Sequence, residues 1–90
     1  MTIITMNKFG RTLTDRSDGK KAFQTIVNNN PRPYTLDFNG VMSLGSSFGD
    51  EVVIELAKLQ DKHIRVLNIN DGIRACLKRV VEGNDITVEI

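Results

Sequence analysis

The sequence predicts an α/β domain in which a mixed four- to five-stranded sheet carries three helices, mainly on one face. Short stretches rich in β-branched and aromatic residues alternate with longer stretches whose apolar residues have helical spacing. Such strand–helix–strand alternation is typical of parallel strands joined by right-handed crossovers. The chain has 90 residues, enough for one core and too few for two, so we expect one domain over residues 1–90.

The predicted element order is β-β-α-β-α-β-α-β, and it opens with two short strands. Thr2 to Met6 is apolar and β-branched, and Phe9 to Leu13 has apolar residues at both ends. Asn7-Lys8 can turn the chain between them. The sequence therefore predicts an antiparallel hairpin, and this hairpin makes the predicted sheet mixed.

The first predicted helix follows a polar connector. Ser17 or Asp18 can cap it, because their side-chain oxygens can accept from an unpaired N–H of the first turn. Its apolar face consists of Ala22, Phe23, Ile26 and Val27. The helix should end within residues 28–30, because Pro31 disfavours the helical conformation in the residue before it.

The middle of the chain predicts a strand over Tyr34–Phe38, a glycine-marked loop and a helix over Ser47–Asp61. Ser47 and Asp50 have the spacing of a capping box. One apolar stripe of the helix contains Phe48, Val52, Leu56 and Leu59, and Val53, Ile54 and Ala57 widen it. The charged face is narrow, so we expect this helix to be the middle one of a layer that lies on the sheet.

The last third of the chain predicts a buried strand over Ile64–Ile69, then a helix capped by Asn70 or Asp71. The core stripe of that helix consists of Ile73, Cys76, Leu77, Val80 and Val81. Gly83-Asn84 is a typical helix stop, and the alternating stretch Ile86–Ile90 predicts the last strand.

Composition excludes several classes of function. The net charge is +1, which offers no electrostatic argument for a nucleic-acid, membrane or acidic partner. The N-terminus lacks a basic region followed by a long apolar one, so we expect no secretion signal and a cytoplasmic protein. A single cysteine, Cys76, excludes an internal disulfide and a cysteine-based zinc site. We expect no metal and no cofactor.

Few residues suggest catalysis, so we expect a protein that is not an enzyme. His63 is the only histidine; it stands beside Lys62 at the start of a predicted strand, and the sequence indicates no carboxylate or cysteine partner for it. Asp50 and Glu51 in a first helical turn are explained by the helix dipole and by capping. Asp37 is unusual in an apolar strand. It either faces the less covered side of the sheet or holds the following loop by hydrogen bonds.

One stretch resembles a known family. Leu36-Asp37-Phe38-x-Gly40-Val41, followed by Ser46-Ser47-Phe48-Gly49-Asp50-Glu51, resembles the bacterial STAS-like domains of unknown function, as does the step Leu13-x-x-Arg16. Those domains are similar to the STAS fold of anti-sigma-factor antagonists. In the antagonists a strand leads through a loop to Asp-Ser-Ser-Gly at a helix start. A serine there is phosphorylated by a partner kinase of the GHKL type, and phosphorylation breaks the complex.

The resemblance implies a STAS-like signalling module that binds a protein partner, such as a GHKL-type kinase or ATPase. Ser46 falls at the phosphorylated position and Ser47 is its neighbour. Gly45 stands where the antagonists usually carry an acid, and Phe48 where they carry a small residue. The predicted partner surface comprises Arg16, Gly45, Ser46, Ser47, Phe48 and Asp50. The alternative is a small-ligand or anion sensor that uses the same helix N-terminus, with Arg16 as the counter-charge.

Overall fold

A computed structural model describes all residues, 1–90. The elements are β1 (Thr2–Thr5), β2 (Thr12–Leu13), α1 (Arg16–Asn29), β3 (Tyr34–Asp37), β4 (Ser43–Leu44), α2 (Ser46–Gly49, Asp50–Ile54 and Glu55–Lys58 in direct succession), β5 (His63–Leu67), α3 (Asp71–Val81) and β6 (Thr87–Glu89). A four-residue 3₁₀-helix, Met6–Phe9, follows β1, and the middle segment of α2 is π-helical. This succession confirms an α/β protein with three helices.

The main sheet has the strand order β1-β3-β5-β6, and every neighbouring pair is parallel. Each new strand is added on the same side of the previous one, so right-handed crossovers carry all three helices over the same face. Ile4 lies opposite Leu36 and Leu36 opposite Val66, and all three are buried on the helical side. Ile3 and Arg65, one position along their strands, are exposed on the uncovered side.

The predicted antiparallel hairpin is wrong, and so is the mixed sheet that it implied. β2 pairs with β4, in parallel, as a separate two-stranded sheet. Met6 and Leu13 are apolar because both are buried in the core, and not because they alternate along paired strands. Both segments contain short strands as predicted, but the strands do not pair with each other.

Helix α1 begins earlier than predicted and ends as predicted. Its N-cap is Asp15, whose carboxylate accepts a hydrogen bond from the Ser17 N–H at 3.2 Å. Neither Ser17 nor Asp18 is the cap, because both already lie inside the helix. The last helical residue is Asn29, which agrees with the stop expected before Pro31.

Helix α2 lies between α1 and α3 and contacts both, as its narrow charged face predicted. A glycine on each flank brings the helices close together. A Cβ atom on Gly19 of α1 would lie 3.2 Å from the Phe48 Cα atom, and one on Gly49 of α2 would lie 3.0 Å from a methyl group of Val80 in α3. Any larger residue at these positions would push neighbouring helices apart.

The ends of α2 differ from the prediction. The helix begins at Ser46 and ends at Lys58, where the sequence pattern suggested Ser47 and Asp61. Phe48, Val52 and Leu56 are buried as expected, but Leu59 lies beyond the helix and is 41% exposed.

The remaining elements follow their patterns closely. Asn70 caps α3, because its side-chain oxygen accepts a hydrogen bond from the Ile73 N–H at 2.8 Å. Of the two predicted caps, Asn70 and Asp71, the first is therefore the one that forms. Cys76 is fully buried in the core stripe of α3. β6 is shorter than the predicted last strand. No helix has the length and apolar character that crossing a membrane requires.

Candidate functional site

The start of α2 is held beside the start of α1 by the small β2–β4 sheet. Leu13 lies opposite Leu44, and the carbonyl of Leu13 accepts from the N–H of Gly45 at 2.8 Å. Gly45 is half-buried against Thr14. A Cβ atom added to Gly45 would lie 3.1 Å from atoms of Thr14. This arrangement places Ser46 close to the first turn of α1.

The first turn of α2 has no side-chain cap. Gly45 is the N-cap residue and has no side chain to accept a hydrogen bond, and the first intrahelical bond runs from the Gly49 N–H to the Gly45 carbonyl at 2.9 Å. The predicted capping box of Ser47 and Asp50 is therefore wrong, because both residues already lie inside the helix. The side chain of Ser46 is exposed, and that of Ser47 is half-buried.

An ion cluster joins the two helix starts. A guanidinium N–H of Arg16 donates to a Glu51 carboxylate oxygen at 2.7 Å, and a second guanidinium nitrogen lies 3.6 Å from the Asp50 carboxylate. The hydrogen bond to Glu51 is the main cause that raises the pKa of Arg16. One cation faces two carboxylates, so the cluster carries a net negative charge. Arg16 is therefore already engaged, and a bound anion would compete with Glu51 for it.

Phe48 is the one predicted surface residue that the structure places elsewhere. Its side chain is 1% exposed and packs in the core beneath the start of α2. The assignment of Phe48 to the partner surface is wrong, because the helical period turns this position toward the sheet. The other predicted residues, Arg16, Gly45, Ser46, Ser47 and Asp50, come together around the helix start.

The contact between Arg16 and Glu51 was not predicted from the sequence. The two residues are 35 positions apart and lie on different helices, so no spacing rule within one helix connects them. Glu51 was explained by the helix dipole and capping, although its half-buried side chain makes the closest contact to Arg16. Only the close packing of α1 on α2 brings the pair together.

Asp37 holds the loop that follows β3. Because it follows the buried Leu36 in the strand, its side chain also lies on the less covered side of the sheet, so its two predicted roles are compatible. One carboxylate oxygen accepts from the Asn68 side-chain amide and from the Asn39 backbone N–H, both at 2.9 Å. The Asn68 hydrogen bond, and then that of Asn39, lowers the pKa of Asp37 below its usual 3.8. Asp37 therefore ties the loop after β3 to the residue that follows β5.

Replacing Asp37 by Asn is expected to lower stability at about pH 6 by an amount that shrinks in acid. The lowered native pKa means that the contribution of the charged carboxylate is complete above the usual 3.8 and is lost as pH falls through the native value. Urea unfolding of the parent and of Asp37→Asn, from about pH 6 down through the native pKa of Asp37, measures the difference in their free energies of unfolding. Asp85→Asn is the control, since the Asp85 side chain is 93% exposed, and its effect should be small throughout. A pH-independent gap between parent and Asp37→Asn would contradict the prediction.

Other reactive groups lie apart from this site. His63 Nε2 is 3.0 Å from a Glu89 carboxylate oxygen, whose other oxygen is 3.4 Å from Arg65 Nε, on the uncovered side of the sheet. Burial raises the pKa of the Cys76 thiol. No cluster of three or more His, Cys, Asp or Glu side chains is placed to hold a metal ion. Glu89 is a partner for His63 that the local sequence does not reveal, because it lies on the neighbouring strand.

Comparisons of the chain with protein-family models, with curated proteins and with solved structures give no match. The resemblance to the STAS-like domains therefore depends on the residues that carry it.

Proposed function

We propose that this chain is a STAS-like regulatory module that is not an enzyme and that binds a protein partner through the start of α2. The observation that carries the proposal is the exposed Ser46, which is the first residue of an uncapped helix. Asp50 and Arg16 flank it and supply charge to the same surface. A partner that contacts this surface would detect any change in the charge of Ser46.

Ser46 is the better of the two phosphorylation candidates. Its side chain is exposed, whereas Ser47 is half-buried, so a kinase reaches the Ser46 hydroxyl more easily. The resemblance to the anti-sigma-factor antagonists points to the same residue. The proposed partner is accordingly a GHKL-type kinase or ATPase in the cytoplasm.

A phosphate on Ser46 would redistribute charge without disturbing the core. It adds close to two negative charges at a helix N-terminus, whose dipole stabilises them. Asp50 and Glu51 repel the phosphate, while Arg16 can exchange its Glu51 contact for a phosphate oxygen. The modification therefore changes the surface that the partner contacts, and the domain stays folded because Ser46 lies outside the core.

Ser46→Asp is expected to melt like the parent and to weaken partner binding at least about tenfold, because phosphorylation of the corresponding serine breaks the complex in the antagonists that the chain resembles. The experiment isolates the chain from its own cells, maps phosphate by mass spectrometry, and measures the affinity of the copurifying kinase for each variant. Ser47→Ala is the matched control. It should change the free energy of unfolding by less than about 0.5 kcal/mol, because Ser47 makes no capping bond. Phosphate found only at other residues, or unchanged affinity of Ser46→Asp, would contradict the proposal.

The second candidate function is an anion or small-ligand sensor, which the uncapped first turn of α2 favours. A thermal-shift screen with inorganic phosphate and nucleotides tests it, because a ligand that binds only the folded state raises the melting temperature. Glu51→Gln frees Arg16 from its strongest partner and should enhance any such shift. Stabilisation that Glu51→Gln enhances and Ser46→Asp abolishes would favour the sensor over the switch.

A further inference from the structure

A second surface lies at the opposite side of the helical layer, between α3 and the edge strand β6. It is a shallow groove of about 90 Å³. The groove is lined by the apolar side chains of Leu77, Val81, Val88 and Ile90 and by the basic residues Arg74 and Lys78. It shares no residue with the start of α2, so any role of this groove is independent of the proposed function.

One side of the β6 backbone has no paired strand along this groove. β6 is the last strand of the sheet and pairs only with β5, and the Thr87 N–H donates to the Lys62 carbonyl at 2.7 Å. Because successive residues of a strand point their backbone groups in opposite directions, the N–H and C=O of Val88 face away from β5. No further strand covers them, and such an edge can accept another strand.

Apolar side chains line the groove beside this free edge. Val81 and Val88 are half-buried, and Ile90 is 59% exposed. A strand laid along β6 would place alternate side chains over these residues, removing apolar surface from water.

The basic residues of the groove have no acidic partners. Arg74 and Lys78 are one turn apart on α3, and neither has a carboxylate oxygen within 4.0 Å. The acidic residues nearest in sequence to β6 are engaged elsewhere: Glu89 with His63 and Arg65, and Asp85 with Lys62. Asp71 and Glu82 lie one helical turn from Arg74 and Lys78 without forming an ion pair with them. Two cations that are free of ion pairs beside an apolar floor favour a ligand that is both apolar and acidic.

We propose that this groove binds an extended, acidic peptide segment of a partner protein, which adds to β6 as a fifth strand of the main sheet. The backbone of Val88 supplies hydrogen bonds to the peptide main chain. Apolar residues at alternate positions of the peptide pack on Val81 and Ile90. Its carboxylates lie on the same face of the peptide strand and pair with Arg74 and Lys78. This is the recognition mode in which main-chain pairing gives affinity and alternate side chains give specificity.

The test uses a panel of synthetic octapeptides in which glutamate and valine, leucine or phenylalanine share the alternate positions of one strand face, with threonine at the positions between them. Amide chemical shifts of the isotope-labelled chain locate the binding surface, and their titration gives the affinity. We expect changes in the amide chemical shifts of Val88 and of the α3 residues around Arg74. Matched peptides with lysine in place of glutamate should bind at least about tenfold more weakly. N-methylation of alternate peptide nitrogens, which blocks strand pairing, should also abolish the shifts.

The matched variants separate this groove from general charge effects. Arg74→Glu with Lys78→Glu should weaken the acidic peptides at least about tenfold. Lys20→Glu with Lys21→Glu, the same change of charge on the exposed side of α1, should leave the affinity unchanged. Unchanged circular dichroism and melting temperature show that each variant is folded.

Several outcomes would overturn the proposal. These are an absence of shifts at Val88 with every peptide, equal binding of the lysine peptides, or equal effects of the two double variants. Sedimentation that shows self-association, lost in Arg74→Glu with Lys78→Glu while no peptide binds, would identify the groove as a contact between two copies of this chain and would also refute it.

Discussion

Replacing Leu56 by Ala is expected to lower the free energy of unfolding by about 2–5 kcal/mol, the range for a truncated buried leucine. Leu56 is 0% exposed and lies in the last segment of the middle helix, which packs on β5. Leu56 belongs to the single buried core cluster, so its truncation leaves a cavity among closely packed side chains. Urea unfolding monitored by circular dichroism measures the loss.

Leu59→Ala is the matched control for this prediction. It removes the same atoms three residues later, at a side chain that is 41% exposed, so the expected loss is under about 1 kcal/mol. Similar losses for Leu56→Ala and Leu59→Ala would show that the two leucines share one buried stripe, as their spacing alone suggests. A large difference would confirm that the helix ends between them.

The end of α2 could not be predicted from the sequence, because none of the usual helix-stop residues marks it. The helix ends at Lys58, and Asp61 and Lys62 then adopt left-handed backbone conformations with φ of 54° and 64°. Glycine or asparagine usually occupies such positions, so an aspartate–lysine pair gave no local signal. The apolar period predicted Leu56 correctly, but it could not show that Leu59 lies past the last turn.

Long-range pairing was also beyond local patterns. Helix α3 could be predicted with its cap, because Asn70 and the core stripe lie within one short segment. The pairing of β2 with β4 joins segments about 31 positions apart through two residues each, and no local spacing encodes it. The same reason explains why Arg16 was predicted at the site while its contact with Glu51 was not.

The location of the candidate site could be predicted, because its motif combines loop glycines with a helix start. Ser46, Ser47 and Asp50 all lie at the start of α2. Phe48 received two incompatible assignments from the sequence, one in the core stripe and one on the partner surface. The structure selects the core, because Gly19 lets α1 cover this side of α2 and the Phe48 ring turns inward.

Replacing Phe48 by Ala is therefore expected to lower the free energy of unfolding by about 3–5 kcal/mol, a loss that can unfold a domain of this size. The ring is among the largest fully buried side chains of the chain. Phe23→Ala is the control, since Phe23 is only half-buried on the flank of α1 and should cost less. Equal losses, or a melting temperature of Phe48→Ala close to that of the parent, would contradict the burial of Phe48.

Partner binding distinguishes this structural role from a surface role for Phe48. Ser46 and Ser47 directly precede the ring in the first turn of α2, so its truncation should loosen that turn and speed amide exchange there more than in α3. Phe48→Leu keeps most of the apolar volume and should restore both stability and partner affinity. A Phe48→Leu variant that is folded but no longer binds would instead mean that the aromatic ring itself contacts the proposed partner. The Phe48 side chain is 1% exposed, so such a contact requires α2 to rearrange.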